Sequence, residues 1–478
     1  MSSPPPLAGG VTGPDGLRPL LAAVLGALAE GAAARGGPLP DGGPEAVELR
    51  VGKALGAVLP EQGHAADEAL RTVVALMASG AADPADPLCA AHLHAPPLAL
   101  AAAADLAASA LNSSLDSWDQ APAASVLEGL VTRALAAEVY GADTEASEGA
   151  PEAATAEAPT PEAPTPDALT TTGGTESNQL ALLLARELLG PVQVLAGANA
   201  HHSVHRSAWL LGLPEPVTVP APAGLLDPAA LDEAFTELPG PKLVVATAGT
   251  TDAGLIDPLD EIAALCARHG ARLHVDAAYG GGLLFSRTHR AKLAGIERAD
   301  TVTLDLHKLG WQPVAAGFFA VRTADDLRPL AYRADYLNAE DDTEAGLPDL
   351  LGRSLRTTRR PDILKTAVTW RALGRAGLGA LVDQVCALAL EFADVIDAHP
   401  GFELYDRPAL STVLFRPHAA DDEALAHVRR TLLTEGRAVL GRARLDGRLW
   451  LKATLLNPHT SRGDLTTLLH LVEGHTPR

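Results

Sequence analysis

From Ala168 to about Leu330 the chain alternates short β-rich runs with helical stretches. The runs are VQVLAG, VTVPA, KLVVATAG, RLHVDAA, TVTLDL and GFFAVR. They are nearly continuous in Val, Leu and Ala, which predicts a mostly parallel sheet covered on both faces. In such sheets the working side chains stand at strand ends and in the turns that follow. Upstream, apolar periodicity predicts helices over 17–34, 44–57 and 66–79, separated by Gly/Pro breaks, then over 98–111 and 125–141. Downstream, an acidic irregular segment over 331–360 leads into helices at 361–376 and 378–399. The tail, FELYDRPALSTVLFRP, EALAHVRRTLLTEG, RLWLKATLLNP and DLTTLLHLVEG, alternates strand and helix and suits a small α+β domain.

Ala142 to Asp167 differs in kind. It has no large apolar residue and repeats EAPTP, so it reads as a disordered acidic insertion. The whole chain has 478 residues, enough for a large core. Its net charge of −22 argues against nucleic acid or an anionic membrane as partner. The three cysteines, Cys89, Cys266 and Cys386, lie far apart, without metal-ligand spacing, and suit a reducing cytoplasm. The apolar run Leu20 to Ala29 is too short to span a bilayer. Met1 to Gly16 has no basic residue, unlike an export signal, so a cytoplasmic protein with an N-terminal helix is expected.

Candidate chemistry concentrates at strand ends. Asp276 closes the apolar run LHV, and Lys308, preceded by His307, closes TVTLDLH. A strand-end lysine with a buried carboxylate nearby is what pyridoxal phosphate needs: an amine for the Schiff base and an anion for the ring nitrogen. The same two residues could simply be solvated strand ends. Thr171 to Asn178, TTGGTESN, is a Gly-rich turn opening an apolar helix, which offers backbone N–H groups and the helix dipole to a phosphate. His92 and His94, or His201, His202 and His205, could be read as metal ligands. No carboxylate or cysteine completes a ligand pattern around the first pair, and no metal is expected.

These stretches in order, with AHHSVHRS at 200–207, ATAGTTDAGLIDP at 246–258 and HK 32 residues after Asp276, resemble the group II pyridoxal phosphate-dependent amino-acid decarboxylases. The resemblance covers roughly Ala91 to Pro458. NSSLDSWDQ, AYRADYLN and SLRTTRRPDILK make it closest to the bacterial branch of diaminobutyrate and siderophore-pathway lysine decarboxylases. It implies the α/β fold type I (aspartate aminotransferase-like), with a mostly parallel seven-stranded sheet. It further implies an N-terminal helical clasp over 1–110, a cofactor domain over 111–360 containing the 142–167 insertion, and a small C-terminal domain over 361–478. Lys308 would hold the cofactor, Asp276 would face its ring nitrogen with Ala278 packed beside it, and His201 would stack on the ring. Gly174 and Thr175 would bind the phosphate, His307 would lie near it, and Thr251 (or Thr250, one residue earlier) would lie near Asp276.

The resemblance also implies a homodimer with composite sites. Asp116 would read the substrate's distal amine, with Asp119 as the fallback and His94 lining the pocket. An acid at 116, where aromatic-specific relatives carry a ring, suits a diamino acid, L-2,4-diaminobutyrate or L-lysine. The alternatives are an acidic or aromatic amino acid, another fold type I reaction such as transamination or cysteine desulfuration, and a non-catalytic cofactor-binding regulator. Animal-type relatives protonate Cα from a loop tyrosine. Here Leu337 to Leu350 contains none, and Tyr332 and Tyr336 precede it.

Overall fold

The structure, a computed structural model, describes residues 5–141, 165–332, 334 and 337–477. Residues 142–164 of the insertion expected over 142–167, and Tyr336, lie outside the described residues. In chain order the strands are β1 (Cys89–Ala90), β2 (Asp167–Thr171), β3 (Gln193–Gly197), β4 (Val217–Val219), β5 (Lys242–Thr247) and β6 (Arg272–Ala277). They continue as β7 (Thr301–Asp305), β8 (Gly317–Val321), β9 (Phe402–Leu404), β10 (Thr412–Pro417), β11 (Val439–Leu445) and β12 (Arg448–Thr454). Two compact units result, one from Pro97–Ala108 with Ser113–Gln384, the other from Met1–Pro96, Ser109–Asn112 and Val385–Arg478.

The larger unit holds a seven-stranded sheet in the order β2-β8-β7-β6-β5-β3-β4. Pairings from β7 through β4 are parallel, and β8 runs antiparallel to both β2 and β7. The central strands are buried along most of their length, which is why they read as continuous apolar runs. One edge strand was not expected: β2, DALTT, takes Asp167 out of the insertion, and Arg353 pairs with that carboxylate. Behind β2 a buried ion pair joins the helix Pro122–Tyr140 to the TTRRP segment. Arg359 Nη1 donates to Glu128 Oε1 and Oε2 at 2.8 and 2.6 Å, and Thr170 Oγ1 donates to Glu128 at 2.9 Å.

The smaller unit carries a five-stranded sheet, β1-β11-β12-β10-β9. Here β1 pairs in parallel with β11 (Cys89 with Val439), so the N-terminal segment shares a sheet with the C-terminal one. The units therefore follow different boundaries from the sequence division at 110 and 360. The β11–β12 hairpin turns on Asp446-Gly447, both at positive φ, the two-residue loop that favours this dipeptide.

Two helices, Gly13–Arg35 and Ile363–Asp397, are long and apolar enough by length and composition to cross a membrane. The first is longer than the Leu20–Ala29 run. It packs on the helix Ala66–Gly80 so closely that a Cβ on Gly31 would lie 2.5 Å from both Ala75 O and Ala78 Cβ. The second breaks at Gly374 (φ 61°, ψ −178°), matching the two helices expected there. Its C-terminal part supplies Leu388, Ala389, Phe392 and Ile396 to the core of the smaller unit.

Candidate active site

The register of the large sheet sets Thr247 and Thr303 on either side of Asp276, at the C-terminal ends of β5, β6 and β7. Asp276 is only 6% exposed. A buried carboxylate needs donors, and it has two. Asn178 Nδ2 donates to Oδ2 at 2.8 Å, and the Ala278 N–H donates to Oδ1 at 3.1 Å. Asn178 comes from the second turn of the helix Gly174–Leu189, which lies along the sheet. Because Asp276 can only accept, the amide is oriented, and Asn178 Oδ1 must face the other way. There it takes Thr303 Oγ1 at 3.1 Å and His274 Nε2 at 2.9 Å. Burial pushes the pKa of His274 down to about 4 against the pull of Asp276, so this ring is neutral.

The turn before that helix comes within contact of the residues around Lys308. Gly173 has φ 151°, and a Cβ there would stand 3.1 Å from His307 Cε1. A Cβ on Gly174 would meet Ala278 Cβ at 3.1 Å and Asp305 Oδ2 at 3.3 Å. Glycine keeps both contacts free of crowding, and the positive φ of Gly173 favours it there, at the N-terminus of the helix. Lys308 Nζ lies 2.9 Å from Asp305 Oδ2, and His307 Nε2 lies 3.5 Å from the same oxygen. Burial, ahead of the opposing charge of Asp305, holds the His307 pKa below its ordinary value. His307 Nδ1 and Asp305 Oδ1 are buried and meet no hydrogen-bonding partner among the described residues.

On the other side of Asn178, its second amide hydrogen goes to Ser203 Oγ at 2.8 Å. Ser203 Oγ is in turn 2.8 Å from His201 Nδ1. His201 is half-buried, and burial lowers its pKa against the pull of the Asp276 charge. One connected group thus unites Lys308, Asp305, the glycine turn, Asp276 and His201. It offers an amine, a buried anion and a helix N-terminus.

The Pyridoxal-dependent decarboxylase conserved domain matches residues 52–418. The chain belongs to the pyridoxal-dependent decarboxylase family. It is 41% identical to the L-2,4-diaminobutyrate decarboxylase of Rhizobium meliloti (strain 1021) over 90% of this chain and 83% of that protein. A crystal structure of the glutamate decarboxylase domain of diaminobutyrate-pyruvate transaminase and L-2,4-diaminobutyrate decarboxylase from Vibrio parahaemolyticus is 31% identical. It covers 98% of this chain and 97% of that one, with a TM-score of 0.82. Mouse CSAD is 26% identical, covering 97% and 99%, with a TM-score of 0.83.

The enzyme is therefore a carboxy-lyase using pyridoxal phosphate, and the site fits that cofactor. The close glycine turn makes room for a phosphate, the unpartnered atoms of His307 and Asp305 border it, and Asp276 retains lone pairs for a ring N–H. Among the residues expected from the sequence, Lys308, Asp276, His307, Gly174 and Ala278 are joined by these contacts, and His201 through Ser203 and Asn178. Ala278 sits in the turn after β6, against Gly174. Thr175 is exposed at the helix start. Thr251 is exposed in the turn after β5, whereas Thr250 is buried and its Oγ1 accepts from the Leu255 N–H at 3.0 Å.

Asp116 is buried, and its Oδ1 accepts from Gln120 Nε2 at 2.6 Å. Asp119 is exposed and lines a cavity of about 310 Å³ with Ser117, Gln120, Asn338 and Asp342. His94 belongs to the smaller unit, where it is exposed, and its neighbour His92 turns at φ 63° instead of extending. Residues the sequence reading passed over are Asn178, Ser203, His274, Thr303 and Asp305. The cue for Asn178 was the polar triplet Glu176-Ser177-Asn178, buried at the head of an apolar helix.

Proposed function

We propose that this decarboxylase acts on a small diamino acid, L-2,4-diaminobutyrate before L-lysine, as a cytoplasmic homodimer with composite sites. The observation that carries the substrate is the 41% identity to an L-2,4-diaminobutyrate decarboxylase along most of both chains. The chemistry of the polar cavity supports it. Its described lining holds two carboxylates, Asp119 and Asp342, with the amides of Gln120 and Asn338 and no basic side chain. Such a lining suits a distal ammonium and disfavours an acidic side chain. Asp116, already bonded to Gln120, is engaged within its own turn, which favours Asp119 as the reader of the amine.

Pyridoxal phosphate, when bound, supplies the sink for the electron pair left by departing CO2. In this reading Lys308 is the amine that holds it, and the glycine turn with the head of the helix Gly174–Leu189 binds its phosphate. Asp276 keeps a negative charge where water cannot screen it, and Ala278 leaves room beside it. His307 borders the phosphate, and His201 covers the ring. Cys89, Cys266 and Cys386 form no disulfide among the described residues, in keeping with a reducing compartment.

The test is CO2 release from L-2,4-diaminobutyrate, L-lysine, L-ornithine, L-glutamate, L-aspartate and L-tryptophan, with the amines identified. The expected result is a preference for L-2,4-diaminobutyrate. Asp119→Asn should then raise its KM roughly 10- to 150-fold, the worth of a charge-assisted hydrogen bond of about 1.5–3 kcal/mol. A preference for an acidic or aromatic substrate would defeat the proposal.

A further inference from the structure

We infer that Ser203 and Asn178 are positioning residues that fix the tautomer of His201, placing its one ring proton on Nε2. The inference rests on the assignment of His201 to the active site.

The argument follows donors and acceptors in turn. Asp276 accepts only, so the amide nitrogen of Asn178 faces it at 2.8 Å. The other hydrogen of that nitrogen is donated to Ser203 Oγ, also at 2.8 Å. Ser203 Oγ keeps its own O–H for a further bond, and His201 Nδ1 lies 2.8 Å from it. A second donor points at the same atom, the Ser203 backbone N–H at 3.3 Å. An N–H cannot accept, so Nδ1 carries no proton. With the His201 pKa held down by burial, the ring is neutral near pH 7. Its single proton must then sit on Nε2, the nitrogen with no partner among the described residues. His201 meets the reacting groups as a hydrogen-bond donor at Nε2, not as a base.

The arrangement has little slack. Asn178 and Ser203 are fully buried. Asn178 Oδ1 is filled by Thr303 and His274, so a flipped amide would set its oxygen against the Asp276 carboxylate, acceptor facing acceptor, and its nitrogen against the donors at Thr303 and His274. The charge at Asp276 and the tautomer of His201 are therefore set by one amide group. The groups whose charges bear on His201 are Asp276, His202, Lys308 and Asp305. Their opposing signs leave burial as the largest influence.

The experiment reads imidazole nitrogen shifts in cofactor-free protein labelled at histidine, with His201 assigned by the loss of its signals in His201→Gln. The native protein should show a protonated Nε2 and a bare Nδ1 at His201. Ser203→Ala should lower the ratio of the two tautomers about fivefold, the equivalent of one hydrogen bond of about 1 kcal/mol, and Ser203→Thr should restore it. In loaded enzyme Ser203→Ala should lower kcat with KM nearly unchanged. Asn178→Ala and the near-isosteric Asn178→Leu should shift the ratio the same way, although neither position touches His201. A protonated Nδ1 in the native protein, or an unmoved ratio in Ser203→Ala, overturns the inference. If neither Asn178 variant folds, Asn178 is a core residue and its positioning role is lost. Visible absorbance on adding pyridoxal phosphate reports the cofactor site separately, so a failure of that reading is distinguishable from a failure of the tautomer argument.

Discussion

Replacing Asp276 with Asn keeps the shape of the side chain and removes its charge. The structure gives this change two separable costs. The first is local. Asp276 accepts from Asn178 Nδ2 at 2.8 Å and from the Ala278 N–H at 3.1 Å. An amide has one acceptor atom for these two donors, so one buried donor is left facing an N–H group. That costs about 1–3 kcal/mol and should appear as a modest fall in the melting temperature of the cofactor-free protein. The second cost falls on catalysis. A unit charge pair about 4 Å apart is worth about 4 kcal/mol at an effective dielectric of 20, or roughly three decades in rate. Cofactor docking depends more on the phosphate site than on this charge, so occupancy should persist. The assay is kcat on the preferred amino acid beside cofactor content by absorbance. Loaded Asp276→Asn should lose about a thousandfold in kcat. Turnover within tenfold of native, with full occupancy, would refute the electrostatic role. A variant that binds no cofactor would show that the carboxylate acts in docking instead.

Borohydride reduction of the loaded enzyme should fix the cofactor on the peptide that contains Lys308; label on another lysine would displace the assignment. Asp305→Asn should destabilise the cofactor-free form by about 1–3 kcal/mol, because it removes the buried partner 2.9 Å from Lys308 Nζ. The loaded form should lose less, since Lys308 is then engaged with the cofactor, and equal losses in both forms would contradict this. His274 is held neutral with its pKa near 4, below the ordinary 6.5, so the unfolded chain binds the extra proton first. Its contribution is full above about pH 6.5 and is lost as pH falls toward 4, up to roughly 3 kcal/mol. Denaturation of native and His274→Gln protein across that window should show the shallower slope in the variant.

Much of this site was legible because its parts are local. A Gly-Gly turn opening an apolar helix, an aspartate closing one buried run and His-Lys closing another each carry their meaning within eight residues. Strand ends of a parallel sheet converge by topology, so reading the strands already brought Asp276 and Lys308 together. Two elements escaped although their signals were present. The run of threonines after Asp167 is β-prone, but it runs directly into the Gly-rich turn TTGGTESN and reads as part of that turn. Asp446-Gly447 marks a two-residue hairpin, and overlooking it hid β11. The compact units depart from the division at 360 for a different reason. The long helix Ile363–Asp397 belongs to both units, and no composition change marks the place where it passes from one to the other.

Asn178 shows where such reading stops. It meets Asp276 across 98 residues of chain, His274 across 96 and Ser203 across 25. None of these separations is a motif, and each partner has an ordinary local explanation as a strand or cap residue. The sequence does carry a weaker cue. Helix periodicity puts Ser177 and Asn178 on the face that Leu180 and Ala181 share, and that face is buried. A polar side chain placed there must find partners inside the protein, and an amide needs both donors and acceptors. Asp276 is an acceptor-only partner with a strand-end address nearby in the fold. An inward-facing Asn one turn below the glycine turn is therefore a candidate to orient Asp276. Satisfying its remaining hydrogens then leads outward, through Ser203, to the histidine.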